Sequence, residues 1–177
     1  MKDKNKELPP SAALMQMITG FWISSAVYVA AKLGLADYMG DDPISADELA
    51  SRVGAHPGAL YRLLRALSSV GIFTEVGPRC FALTPIGNYL KSDIPGSLHA
   101  YSIVGREIVW ETWGQLLHSV RTGETAFDHL HGIGFFEFLK QNSELARLFN
   151  EAMTGLFMMN GLEVAATYDF TPFSTIV

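Results

Sequence analysis

SADELASRVGAHPGALYRLLRALSSVGIFTE, residues 45–75, carries the clearest local grammar in this 177-residue chain. Ser45 and Glu48 have the spacing of a capping box, with the hydroxyl taking an orphan first-turn N–H and the carboxylate reaching back to the cap. Ala46, Leu49, Ala50 and Val53 recur at i, i+3, i+4 and i+7, one face of a helix that Gly54 ends. Pro57 suits the first position of a second helix, whose Leu60, Leu63, Leu64 and Leu67 share a face and which Gly71 closes. Ile72–Val76, the turn Gly77-Pro78-Arg79 and Cys80–Leu83 then read as a β-hairpin, and Thr84-Pro85 caps a further short helix. Helix, turn, helix, hairpin is the order of a winged helix. The expected fold is mainly helical with one small β-hairpin.

Toward the N-terminus, residues 1–10 read as a flexible tail, and Pro9-Pro10-Ser11 opens a long helix that Gly34 stops after Leu33. At ~1.5 Å per residue that helix is about 35 Å long, more than one small domain needs. It is uncharged from Leu8 to Ala31, and Lys2, Lys4 and Lys6 precede it, so its length also fits a membrane span or an export signal. Gln16, Thr19, Ser24, Ser25 and Tyr28 are spread along it, and Asp3 and Glu7 dilute the basic start. A helix apolar all round can also be buried in protein, including between two protomers. The expectation is a protein-covered helix and no membrane.

Toward the C-terminus, one helix is expected to carry Val109, Trp113, Leu116, Leu117 and Val120 on one face, until Arg121-Thr122-Gly123-Glu124 breaks it. A short aromatic helix holds Phe135, Phe136, Phe138 and Leu139. Asn142-Ser143 caps another, with Leu145, Leu148, Phe149, Ala152 and Leu156, which Gly155 and Gly161 weaken. Tyr168–Pro172 reads as a linker, and Phe173–Val177 as the opening strand of a sheet. A strand leaves its backbone groups unpaired without a neighbour. The expected organisation is therefore a tail at 1–10, a helical domain at 11–166, and a linker and first strand of an absent α/β domain at 167–177.

Composition narrows the function. Hydrophobic residues make up 49% and charged residues 18%, which excludes disorder and leaves more apolar surface than a monomer hides. The formal net charge of −5 argues against a nucleic-acid partner, which requires a basic face. Within residues 41–93 the acids Asp41, Asp42, Asp47, Glu48, Glu75 and Asp93 outnumber Arg52, Arg62, Arg65, Arg79 and Lys91, the reverse of a DNA reader. Cys80 is the only cysteine, so no internal disulfide forms and a cytoplasmic location is expected.

Catalytic patterns are scarce. Of His56, His99, His118, His129 and His131, only the last two are close in sequence, and i, i+2 positions diverge on a helix. No acidic or cysteine ligand set joins them, so no metal is expected. No serine stands in a nucleophile-elbow pattern, and Gly132-Ile133-Gly134 is too short for a phosphate loop. The suggestive residues are Trp110 and Trp113, three apart, and Phe149, Met153 and Phe157, four apart. Each set suits core packing, or one wall of an apolar pocket completed by another domain.

The long helix, the 45–75 stretch, FALTPIGNYLKSDIPGSL (81–98), WETWGQLLHSVRTGETAFDHLHGIGFFEFLKQNSELARLFNEAM (110–153) and YDFTPFSTIV (168–177) together resemble a known family. From about Ser11 to Val177 the chain is similar to the N-terminal dimerisation domain of S-adenosylmethionine-dependent small-molecule O-methyltransferases, the plant caffeate type and bacterial relatives.

That resemblance implies a homodimer, a small hydroxyl-bearing acceptor (aromatic or polyketide-like), and S-adenosylmethionine in the full-length enzyme. It also implies that the Asp-x-Gly-Gly-Gly cofactor loop and the histidine base lie in a part absent here, so this chain carries no catalytic residue and is not expected to bind the cofactor. By the same resemblance, LFNEAM places Phe149 and Met153 beside the acceptor and, peripherally, the methyl donor. Ile103 and Val104 match acceptor-pocket positions, with Trp110 and Trp113 as further acceptor-side candidates. The competing reading is a stand-alone winged-helix DNA-binding regulator or dimerising module.

Overall fold

The structure, a computed structural model, describes residues 9–40, 42–169 and 171–175. Most of the expected 1–10 tail, and Ile176 and Val177 of the expected last strand, lie outside them. Helix α1 spans Pro10–Lys32, and Gly34 turns the chain at φ 63 into α2, Leu35–Tyr38. Only Ala30 and Ala31 of α1 are buried, while Met17 is 78% and Trp22 63% exposed. The apolar helix anticipated as protein-covered is thus left uncovered along most of its length within one protomer.

The quoted stretch folds as its pattern dictates, with additions. Helix α3 is Ala46–Val53 and α4 is Pro57–Ser68. Strand β2, Phe73–Gly77, pairs antiparallel with β3, Cys80–Leu83, and Thr84 caps α5, Pro85–Asn88. A third strand, β1 at Ile44–Ser45, pairs with β3 in the register Ile44↔Phe81, giving the order β1-β3-β2. Two residues are too few to show alternation, so this strand was hidden inside the cap signal. Ser45 Oγ accepts the Glu48 N–H at 3.1 Å, but the Glu48 carboxylate turns to Arg52, 2.6 Å away, rather than back to the cap. His56 caps α4, its Nδ1 accepting the Ala59 N–H at 3.3 Å.

The hairpin loop places Arg79 at φ 58, left-handed and costly for a side-chain-bearing residue. Three contacts hold it there. Its N–H donates to Glu75 Oε1 at 3.0 Å, its guanidinium donates to both Asp47 oxygens at 2.7 and 3.1 Å, and the same group lies 4.4 Å from the Tyr61 ring centroid. The guanidinium holds the Asp47 carboxyl below the usual carboxylate range. Beneath the hairpin, Leu35, Met39, Leu49, Leu64, Leu67, Phe73 and Phe81 form the first core, which the C-terminal part of α1 joins through Ala26, Val27 and Ala30.

Beyond residue 98 the expected single helix is four pieces. They are α6 (His99–Val104), a π-helical turn (Gly105–Val109), α7 (Trp110–Gly114) and α8 (Leu116–Thr122). Gln115 separates α7 from α8, so Val109 and Val120 share no continuous helical face. Helices α9 (Ala126–His131), α10 (Phe135–Gln141) and α11 (Ser143–Thr167) follow.

Asn142 takes the N-cap position of α11, as expected, but its side chain makes no cap bond. Its amide donates to the Phe138 carbonyl at 2.7 Å. Helix α11 runs unbroken through Gly155 and Gly161, and packs chiefly against α6. Gly155 marks that crossing, since a Cβ there would lie 2.2 Å from the Ser97 carbonyl oxygen. The second core, Ala100, Val104, Ile108, Leu139 and Ala152, fills the seam. Phe173–Thr175, expected to begin a strand, are not in one.

Candidate functional site

The site candidates spread over both sides of the α6–α11 seam. Val104 is buried in the second core, and Phe149 packs against that core half-buried, its ring 5.1 Å from Phe135 and edge-on. Along the same face of α11, Met153 is 37% and Phe157 69% exposed, so the stripe climbs out of the core. Ile103, its neighbour in sequence, points elsewhere. It lines an open groove of about 1410 Å³ between the end of α1, α6, α10 and α11. Adjacent helical residues diverge by about 100°, which separates the pair. Trp113 is 65% exposed and borders a small hollow with Thr112, Leu116 and Ala126.

Trp110 sits where α1 meets the π-turn. Its ring lies 6.1 Å from Phe21 of α1 and 5.1 Å from the Arg106 guanidinium. Next to it, Glu107 Oε1 accepts the Lys32 ammonium at 2.6 Å and the Tyr28 hydroxyl at 3.1 Å. Burial, then the bond to Glu107, raises the Tyr28 phenol above its ordinary range, and the Glu107 hydrogen bond raises Lys32. None of these partners was legible in the sequence, because Tyr28 and Glu107 are 79 residues apart.

Below Phe149 the rings continue. Phe127 meets Phe135 at 5.2 Å, Phe138 at 5.4 Å and His131 at 4.3 Å. His118 stacks on His129 at 3.6 Å and pairs with Glu124 at 3.1 Å, a meeting across α8 and α9 that sequence spacing did not suggest. Among the described residues, no group of three or more His, Cys, Asp or Glu side chains is placed to hold a metal. The residues of the second core are themselves apolar, and His131 packs at its edge on Phe127 and Phe138. What this half of the molecule offers is shape, aromatic faces and thioether sulfur.

Residues 15–93 match the O-methyltransferase dimerisation domain, and residues 113–177 match the O-methyltransferase domain. The chain belongs to this O-methyltransferase family. It is 42% identical over 170 residues to the phenazine O-methyltransferase PhzM of Lysobacter antibioticus, covering 96% of this chain and 50% of that protein. A crystal structure of LaPhzM superposes with a TM-score of 0.89 at 42% identity, over 94% of this chain and 50% of that one. CalO1, a methyltransferase in calicheamicin biosynthesis solved in its SAH-bound form, gives 0.79 at 26% identity over 93% and 50%. The chain spans about half the length of the curated relatives it matches.

The family match places Phe149 and Met153 inside the second matched segment. The segment between the two matches, 94–112, contains α6, the π-turn and Trp110.

Proposed function

We propose that this chain is the dimerisation and acceptor-binding part of an S-adenosylmethionine-dependent O-methyltransferase acting on a small aromatic or polyketide-like hydroxyl compound. The observation that carries the reading is the pair of uncovered apolar faces, one along α1 and one climbing α11 from Phe149 to Phe157. Leu14, Met15, Met17, Ile18, Phe21 and Trp22 are all exposed along α1, as are Met153 and Phe157 on α11. Exposed faces of that extent mark interfaces. On this reading a second copy covers α1, making a homodimer, and a cofactor domain covers α11. The domain limits remain those drawn above, 11–166 for this part and 167–177 for the link.

Residues 35–83 are read as a winged helix used for structure rather than for DNA. Arg79, the cation at the wing tip, is committed to Asp47 and Tyr61. Helix α1 would also pass as a membrane span by length and composition. Its lower third is already built into the first core, and Tyr28 and Lys32 are bound to Glu107, so protein rather than lipid is its proposed cover. A reducing cytoplasm suits the single Cys80.

For the acceptor, Val104, Phe149 and Met153 are the proposed wall, with Trp110 and Trp113 at its rim and Ile103 reached from the groove behind α6. Phe149 and Met153 fit the border of a sulfonium-bearing cofactor, since an aromatic face and a thioether sit beside positive charge without a competing hydrogen bond. They supply no contact for its nucleoside or its carboxylate. The bound cofactor would supply the methyl group. The residues here orient the acceptor hydroxyl and exclude water, which is the larger part of the rate for a bimolecular transfer.

Two outcomes are expected. In an enzyme carrying this chain with the cofactor domain, Met153→Ala lowers kcat/KM at least about tenfold, roughly 1.4 kcal/mol, and leaves the dimer intact. An unchanged kcat/KM with a lowered melting temperature would return Met153 to simple packing. In the 177-residue chain alone, titration with millimolar S-adenosylmethionine gives no saturable heat, because its sequence contains no Asp-x-Gly-Gly-Gly loop. Stoichiometric binding would contradict the division of labour proposed here.

A further inference from the structure

The π-turn at Gly105–Val109 separates two of the acceptor-wall candidates, Val104 before it and Trp110 after it. Such a turn takes in one residue more than an α-helix over the same rise. Trp110 therefore points about 100° away from where an uninterrupted helix would aim it. Single π-turns are uncommon and recur at functional sites, so what holds this one matters.

The charged side chains of the turn are Arg106 and Glu107, and both are engaged. Glu107, about a quarter exposed, binds Lys32 and Tyr28 on α1, while Arg106 lies over the Trp110 ring that Phe21 of α1 also touches. Helix α1 thus grips the turn at Glu107 and meets the tryptophan that the turn re-aims.

We propose that Glu107 is a positioning residue for the acceptor site. Its pairing with Lys32 and Tyr28 locks the π-turn and so fixes the direction of Trp110. The role rests on the reading of Val104 and Trp110 as acceptor-side residues, and Glu107 itself touches no reacting atom. It also makes the acceptor wall depend on α1, so the helix proposed to join two protomers sets the shape of the pocket beside it.

The test uses the 177-residue chain with Trp22→Phe and Trp113→Phe, which leaves Trp110 as the single tryptophan. Glu107→Gln is expected to move Trp110 emission to the red as the ring leaves Phe21 and Arg106. Lys32→Met is expected to give the same shift, and the two together no more than either alone. Glu111→Gln, an exposed carboxylate in α7, is the control and should not move it. Far-ultraviolet circular dichroism checks that each variant stays folded. No shift in Glu107→Gln, or an equal shift in Glu111→Gln, overturns the proposal.

Binding of 1-hydroxyphenazine to an enzyme carrying this chain with the cofactor domain then separates this proposal from the reading beneath it. Expected is a probe affinity about tenfold weaker in Glu107→Gln, about 1.4 kcal/mol. A red shift in the chain, with a probe affinity in the enzyme that Glu107→Gln leaves unchanged, would show that Glu107 aims Trp110 but that Trp110 borders no acceptor. That outcome overturns the acceptor assignment, on which the positioning role depends.

Discussion

Replacing Gly155 with alanine is expected to lower the melting temperature by about 6 °C or more, and to loosen the seam that holds the proposed acceptor wall. A methyl at this position would lie 2.2 Å from the Ser97 carbonyl oxygen, and backbone cannot swing aside as a long side chain can. Either α11 moves off α6, opening the core around Val104, Ile108 and Ala152, or the 94–97 loop moves. Overpacking of this kind costs about 1–3 kcal/mol, and Ala at a helical site returns up to about 1. A contact with rigid backbone belongs at the upper end, for a net loss of about 2 kcal/mol, or about 6 °C for a chain of this size.

Gly87 offers an independent case, since a Cβ there would meet the Ile72 carbonyl oxygen at 2.1 Å. Gly114, where nothing lies within 4 Å, is the control and should tolerate alanine without loss. Differential scanning calorimetry of the three variants decides the matter. A Gly155→Ala protein as stable as the parent would mean that the crossing is not as close as the structure has it.

The second large effect concerns α1. Light scattering of the parent chain at micromolar concentration is expected to give twice its 19.4 kDa mass, and Met17→Glu with Trp22→Glu to give the monomer. Both side chains are exposed in one protomer, so the substitutions should cost the isolated fold little. At a dimer interface each would place a carboxylate in an apolar contact. A central interface residue is worth about 2–4 kcal/mol, so together they should weaken association by a factor of about 10³ or more. An obligate interface on this helix should bury more than about 2,000 Å². A monodisperse parent monomer would sink the dimer reading and leave α1 to another covering partner. Equal dimer mass in parent and variant would move the interface off α1.

Much of the fold could be read in advance, for a definable reason. Leu49, Leu60, Leu64 and Leu67 declare helices by spacing, Ser45 and Thr84 declare caps, and Gly34, Gly54 and Gly71 declare stops, all through interactions within about four residues. The stripe Phe149, Met153 and Phe157 was equally legible, since one helix carries it. So was membership of the O-methyltransferase family, which the matched segments 15–93 and 113–177 bear out.

What the local pattern could not show was decided by contacts between distant segments. Glu107 of the π-turn at 105–109 meets Tyr28 and Lys32 on another helix, and the break at Gln115 interrupts the pattern drawn through Val109 and Val120. Strand β1 exists only because β3 lies beside it. Ile103 and Val104 looked alike as neighbours, and only the α6–α11 packing assigned one to the groove and the other to the core. Gly155 resembled a weak point until the crossing with Ser97 made it the residue that lets two helices meet. Local spacing determines which elements form and which face of each is apolar. Only the tertiary structure decides which element meets which, because those contacts join residues tens of positions apart whose pairing leaves no period in the chain.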